Sequence, residues 1–260
     1  MKVRKAAVAG LFYEAGADRL QQQVDRLLAQ ASGEQQCVPR VLIVPHAGHI
    51  YSGSTAARAY RCLVPVRAAI RRVALFGPAH RVYLQGMAVP SVDAFATPLG
   101  EVPLDRQGID SIAALPGVCV SDEAHREEHS LEVQLPFLQR ALDDFALLPV
   151  VVGDCPPGTV AAVMDAVWGG PETLVVVSTD LSHFHPYEEA GRRDRRTCER
   201  VLQRAGDFSG EDACGARALN GLMRTRHCRS LTLELLALCN SGDTAGDRRR
   251  VVGYGAFLAH

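Results

Sequence analysis

Three short apolar runs in this 260-residue chain end in residues able to do chemistry. Val41-Leu-Ile-Val-Pro is followed by His46, Val73-Ala-Leu-Phe-Gly-Pro-Ala by His80, and Leu174-Val-Val-Val-Ser-Thr by Asp180 with His183 three residues on. Imidazole is the commonest protein ligand for a metal ion near neutral pH, and the same group moves protons as an acid or base. Two histidines at matching places after two apolar runs point to metal binding more than either does alone. Asp180 and His183 form an acid/base candidate pair, with the carboxylate fixing the imidazole tautomer; Asp180 as the cap of a following turn is the competing reading.

Further candidates lie elsewhere. His49 stands three residues after His46, and only one of the two can occupy the strand-end position. His129 and Glu132 share a face of a helix that opens near Glu128. His125, Glu128 and His129 fit the inverted H-x-x-E-H zinc pattern, but the match is short, and an acidic first helical turn would look the same. Arg126 stands where H-E-x-x-H needs its glutamate. Cys214 opens a helix after Asp212, where a thiol is activated as a ligand or nucleophile, although it is one of eight scattered cysteines. A Ser-His-Asp hydrolase is disfavoured because no G-x-S-x-G elbow occurs. Thiol chemistry of the Cys-Glu-Lys kind ranks last, because the only lysines are Lys2 and Lys5.

The runs that carry these residues must be strands buried on both faces, since they are continuously apolar rather than alternating. They alternate with helical patterns over Ala17–Ala31, Thr55–Leu63, Asp105–Leu115, Glu128–Leu142, Thr159–Val167, Pro186–Ala205 and Cys214–Arg224, and Gly33–Gln36 reads as a polar loop. The chain closes with strands over Ser230–Cys239 and Val251–Leu258. This order predicts an α/β fold, a single three-layer α/β/α domain over residues 1–260 with a mainly parallel central sheet. In such sheets ligands bind beyond the carboxyl ends of the strands.

A net charge of −1 gives no electrostatic case for nucleic acid or an anionic membrane. No apolar stretch is long enough to span a bilayer and the start of the chain lacks a signal-peptide core, so a cytoplasmic setting with free thiols is expected. No C-x-x-C pair occurs, which argues against a zinc ribbon.

Several segments taken together resemble the Memo family, whose bacterial members are called AmmeMemoRadiSam system protein B. They are Ala9-Gly-Leu-Phe-Tyr13, Pro45-His-Ala-Gly48 with Tyr51-Ser-Gly53, Gly77-Pro-Ala-His80, Thr97-Pro-Leu-Gly100, Glu128-His-Ser-Leu-Glu132, Leu148-Pro-Val-Val-Val-Gly153, Ser178-Thr-Asp180 with His183, and Cys214-Gly215. The family is similar to class III extradiol, LigB-type dioxygenases. The resemblance implies His46, His80 and Cys214 as metal ligands. It also implies that Asp180 and His183 line the same pocket, with His183 near the position of the dioxygenases' acid/base histidine; the residues themselves are read with Asp180 and His183 as the catalytic pair and His129, Glu132 and His49 as pocket residues. A cysteine in place of a carboxylate ligand argues against catechol cleavage and for a redox-active iron or copper centre; iron is the first cofactor expected, with copper or zinc as the alternative ions. A small molecule or peptide is the implied ligand, and a radical-SAM protein the implied partner. The rival expectation is a non-catalytic binding protein that uses the same cleft.

Overall fold

In a computed structural model of the chain, residues 1–31 and 38–260 are described; the loop expected at Gly33–Gln36 lies outside them. The strands are β1 (Val3–Arg4), β2 (Val41–Val44), β3 (Arg72–Pro78), β4 (Met87–Val89), β5 (Ala94–Thr97), β6 (Gly100–Pro103), β7 (Val118–Val120), β8 (Ala146–Val152), β9 (Thr173–Ser178), β10 (His183–His185), β11 (Leu233–Asn240) and β12 (Val251–Ala259). The α-helices are α1 (Ala17–Gln30), α2 (His49–Arg61), α3 (Arg106–Ala113), α4 (Asp122–Arg126), α5 (His129–Glu132), α6 (Leu135–Ala141), α7 (Pro157–Val167), α8 (Tyr187–Leu202) and α9 (Ala216–Arg224).

The main sheet runs β10-β12-β2-β9-β3-β8-β4-β7, with β11 also paired to β12. Its four central strands, β2, β9, β3 and β8, are parallel. The flanks turn antiparallel where β12 meets β2 and β4 meets β8. The apolar runs behave as their composition demands: every residue of β2 and β9 is buried, which suits strands covered on both faces. Pro149 is tolerated inside β8 because β4 joins that strand only at Val151 and Val152, so the ladder does not call on its missing N–H. Helices α1, α2 and α6 pack on one another, and α7 packs on both α3 and α9, giving a three-layer α/β/α arrangement. Helix α1 shows the reason in its stripe of buried Leu20, Val24 and Leu28, spaced four apart. A small second sheet, β1-β5-β6, flanks the body.

Two elements differ from expectation in ways that shape the site. The helix expected over Glu128–Leu142 is divided: α5 ends at Glu132 and α6 restarts at Leu135. Pro136 causes the break, since it cannot donate to the preceding turn but sits well in the first turn of a new helix. Helix α2 starts at His49 rather than near Thr55. Its Gly53 faces α1, where a Cβ would lie 3.0 Å from Leu27 Cδ1, so glycine lets the two helices approach.

Candidate metal centre

The carboxyl ends of β2, β3 and β9 meet at one edge of the sheet. Beyond β2, the turn at Pro45 and His46 leads into α2; beyond β3, Ala79 leads to His80. Helix α5 closes over the end of β3 at Gly77, where a Cβ would lie 2.8 Å from both Leu131 Cδ2 and Ser130 Oγ. That close approach places His129 over the strand tips. One nitrogen from each of His46, His80 and His129 lies within 4.8 Å of the other two. The rings of His80 and His129 stack at 4.7 Å, and His46 meets them edge-on at 5.2 and 5.5 Å.

Each imidazole has a different backing. His46 Nδ1 lies 2.8 Å from Ser178 Oγ. His80 Nδ1 donates to Glu128 Oε1 at 3.0 Å, and the His80 amide donates to Oε2 at 2.6 Å. His129 Nδ1 lies 3.4 Å from Glu128 Oε1, yet it is buried with no hydrogen-bond partner. With their Nδ1 atoms engaged, His46 and His80 have Nε2 left to offer.

The electrostatics favour neutral rings at His46 and His129. Burial first, then the neighbouring His80, pushes His46 down to about 3. Burial and His46 bring His129 down to about 4. Burial opposes the charge on Glu128, but the hydrogen bonds and positive field of His80 outweigh it and bring its carboxyl down to about 2. A neutral imidazole is the form that ligates. His46 and His129 are held in that form; together with His80 they make a three-imidazole set, one ring with an orphaned buried nitrogen, that fits a metal ion, and a carboxylate behind a ligating histidine is the usual support for one.

Cys214 lies in the turn before α9, not in its first turn. Gly215 sits so close to Thr179 that a Cβ would come within 2.6 Å of Thr179 Cβ. This brings Cys214 Sγ to 3.3 Å from His46 Nε2, where it accepts from the Asp180 amide at 3.2 Å. Burial, and secondarily Asp180, pushes its thiol up to about 12. Cys214 therefore borders the three imidazoles through His46.

Asp180 and His183 both line a cleft of about 460 Å³, together with His129, Phe12, Tyr51, Arg250, Val252 and Tyr254. Asp180 Oδ1 accepts from the amides of His46 at 2.7 Å and Ala47 at 3.3 Å, and Oδ2 stands 4.0 Å from His46 Nε2. Burial raises its carboxyl above the ordinary value. Among the described residues, no hydrogen bond joins Asp180 to His183. The carboxylate orders the turn that carries His46, and His183 stands at the cleft rim at the start of β10, a strand the sequence pattern did not suggest.

Glu132 and His49 lie off the cleft. Glu132 is buried and accepts from Arg4 Nη1 at 2.6 Å, Tyr13 Oη at 2.6 Å and the amides of Ala7 and Val8. It ties down the N-terminal segment, whose Phe12 ring stands 4.7 Å from His129. His49 packs between Tyr13 and Phe137, with Nε2 3.3 Å from Val133 O. His125 also lies apart: Nε2 donates to Ala88 O at 3.0 Å, so the H-x-x-E-H spacing does not converge on one site. Ser178 and Gln134 were not singled out from the sequence. Ser178 lies inside the Ser178-Thr-Asp180 motif, whereas nothing local marks Gln134.

An α/β sheet whose central strand tips gather three imidazoles, with a thiol beside one of them, defines a protein built around a site that could hold a metal ion. A family model for Memo-like protein matches residues 4–258. A MEMO1 family protein of Aquifex aeolicus is 35% identical over 98% of each chain. Another from Methanopyrus kandleri is 31% identical, again over 98% of each chain. This chain belongs to the Memo family. The crystal structure of uncharacterized protein JW3007 from Escherichia coli K12 superposes with a TM-score of 0.52 over 84% of this chain and 98% of that one; at 13% identity it speaks for the fold alone. No helix among the described residues is long and apolar enough to cross a membrane.

Proposed function

We propose that this protein is a mononuclear metal-dependent oxidoreductase, with iron as the first candidate and copper or zinc as the alternatives. The observation that carries the reading is the convergence of His46, His80 and His129 on one point. These three would hold the ion, with Cys214 beside it as a soft fourth donor. When bound, such an ion supplies an open position and, for iron or copper, electrons for oxygen chemistry. The remaining work falls to the chain. Glu128 and Ser178 orient the imidazoles. Asp180 orders the His46 turn. Phe12, Tyr51 and Tyr254 give the cleft an apolar wall that holds a substrate body and thins the water around it. His183 at the rim accepts or returns a proton at its imidazole.

A second reading, a non-catalytic receptor for a small molecule or peptide, draws support from that same wall, which continues outward into exposed Leu11, 80% accessible. Reconstitution with Fe(II) under anaerobic conditions, followed by elemental analysis and oxygen uptake, separates the two. One equivalent of metal with oxygen consumption that disappears in His46→Ala supports the enzyme. Metal-independent ligand binding without oxygen uptake supports the receptor.

A further inference from the structure

Behind His46 runs a buried chain of hydrogen bonds in which every proton can be assigned. Gln134 donates from Nε2 to the carbonyl of Pro45 at 2.9 Å, and a carbonyl can only accept. That fixes the amide orientation, and Oε1 accordingly accepts from Tyr60 Oη at 2.8 Å. The second amide hydrogen of Gln134 goes to Ser178 Oγ at 2.8 Å. Ser178 has one hydrogen of its own. Its Oγ lies 2.6 Å from the carbonyl oxygen of Ser130, a separation that two oxygens sustain only with a hydrogen between them. Ser178 has therefore spent its proton on Ser130 and can only accept from His46 Nδ1, 2.8 Å away.

We infer that Ser178 and Gln134 are positioning residues that lock His46 in its Nδ1–H tautomer, so that the Nε2 lone pair always faces His80, His129 and Cys214. The lock is buried throughout: Tyr60, Gln134, Ser178 and Ser130 are each fully inaccessible to solvent, so water cannot stand in for a lost partner. Reversing the tautomer would set two acceptors against each other at Nδ1 and point an N–H at the other donors. His80 reaches the same tautomer by a charged route, through Glu128. The two strand-tip imidazoles are thus preset by two independent devices, one neutral and one ionic, and only His129 lacks a partner on Nδ1. The inference rests on the metal-holding reading for its purpose but not for its geometry.

The test uses the full-length metal-free protein labelled with 15N-histidine. Long-range proton–nitrogen correlations distinguish a protonated Nδ1 from a protonated Nε2 directly, and His46→Gln assigns the signal. His46 in the parent protein should show Nδ1–H. Ser178→Ala should mix the tautomers or reverse them and weaken Co(II) binding by roughly 10–100-fold, the usual effect of losing a group that orients a ligand. Ser178→Thr, which keeps the hydroxyl, should restore both, and circular dichroism checks the fold of each variant. An Nε2–H signal in the parent protein overturns the inference, even should Ser178→Ala fail to fold. A folded Ser178→Ala with unchanged tautomer and unchanged affinity overturns it as well. A parent protein that shows Nδ1–H yet binds no Co(II) retires the metal reading while supporting the lock.

Discussion

Cys214 Sγ and His46 Nε2 stand 3.3 Å apart, so the thiol and the imidazole address the same point in space. The family resemblance put Cys214 in the ligand set and the residue pattern put His129 in a supporting role, whereas the imidazole group that converges is His46, His80 and His129. The two arrangements make different demands. With three imidazoles sufficient, Cys214→Ala should still bind one equivalent of Co(II) but lack any sulfur-to-metal charge-transfer band, and His129→Ala should lose most of its affinity. Full retention by His129→Ala together with loss in Cys214→Ala would reverse the assignment.

His183 tests whether the cleft does chemistry. It lines the cleft with Asp180 and His129, and among the described residues its side chain holds no hydrogen bond that its removal would break. In the metal-loaded protein, His183→Ala should keep full metal content and lose oxygen-reducing turnover by roughly 10²–10⁴-fold, the range for a placed proton-transfer group. Parent-like turnover in that variant would remove the acid/base role.

Glu132 tests the link between the N-terminal segment and the site. Its carboxylate pairs with Arg4 in a fully buried setting. Replacing it by Ala removes the carboxylate opposite the guanidinium, which keeps the carbonyls of His125 and Glu128, and takes the acceptor from the Tyr13 hydroxyl; the change should cost about 3–5 kcal/mol in urea unfolding. Because Phe12 rests on His129, metal affinity should fall as well, although Glu132 touches no candidate ligand. Arg4→Met paired with Glu132→Leu should recover much of the stability. A Glu132→Ala protein as stable as the parent would show that the pair carries little.

Acid should destabilise the metal-free protein well before its carboxylates titrate. Burial holds His49 and His125 at about 4 in the folded state, while the unfolded chain titrates near 6.5. Between those values the unfolded state binds more protons, so stability is complete above about pH 6.5 and drains away as the pH falls toward 4. Each imidazole can contribute on the order of a few kcal/mol. Asp180 and Asp194, whose carboxyls burial pushes up, act in the opposite sense and flatten the acid end. Thermal melts from pH 7.5 to 5 should show a falling midpoint, with a shallower slope in His125→Gln. A flat profile across that window would contradict the buried neutral state.

The sheet and the two strand-tip histidines were legible because they are local: a continuous apolar run names a buried strand, and its polar terminator marks the edge where ligands bind. His129 was harder to place. Its position depends on α5 ending early and on Gly77 admitting that short helix over β3, and neither fact appears in the spacing of histidines. Gln134 was invisible for a related reason. It reads as one polar residue in an apolar stretch, and its task is defined only by Pro45, Tyr60 and Ser178, which come from three distant segments. His49 looked equivalent to His46 because both follow β2, but as the first residue of α2 it turns into the core.

The three converging imidazoles and the adjacent thiol come from stretches spread across most of the chain, joined only where β2, β3, α5 and the turn before α9 dock. No fragment can carry the site, and no partly assembled sheet can prefigure it. A ligand that binds only the finished structure adds its binding energy to folding, about 2.7 kcal/mol at a hundredfold excess over its Kd. Should the site take up an ion as proposed, uptake would act as a proofreading signal: a chain holding its ion would have completed its topology, and one without it would be left more open to unfolding and proteolysis.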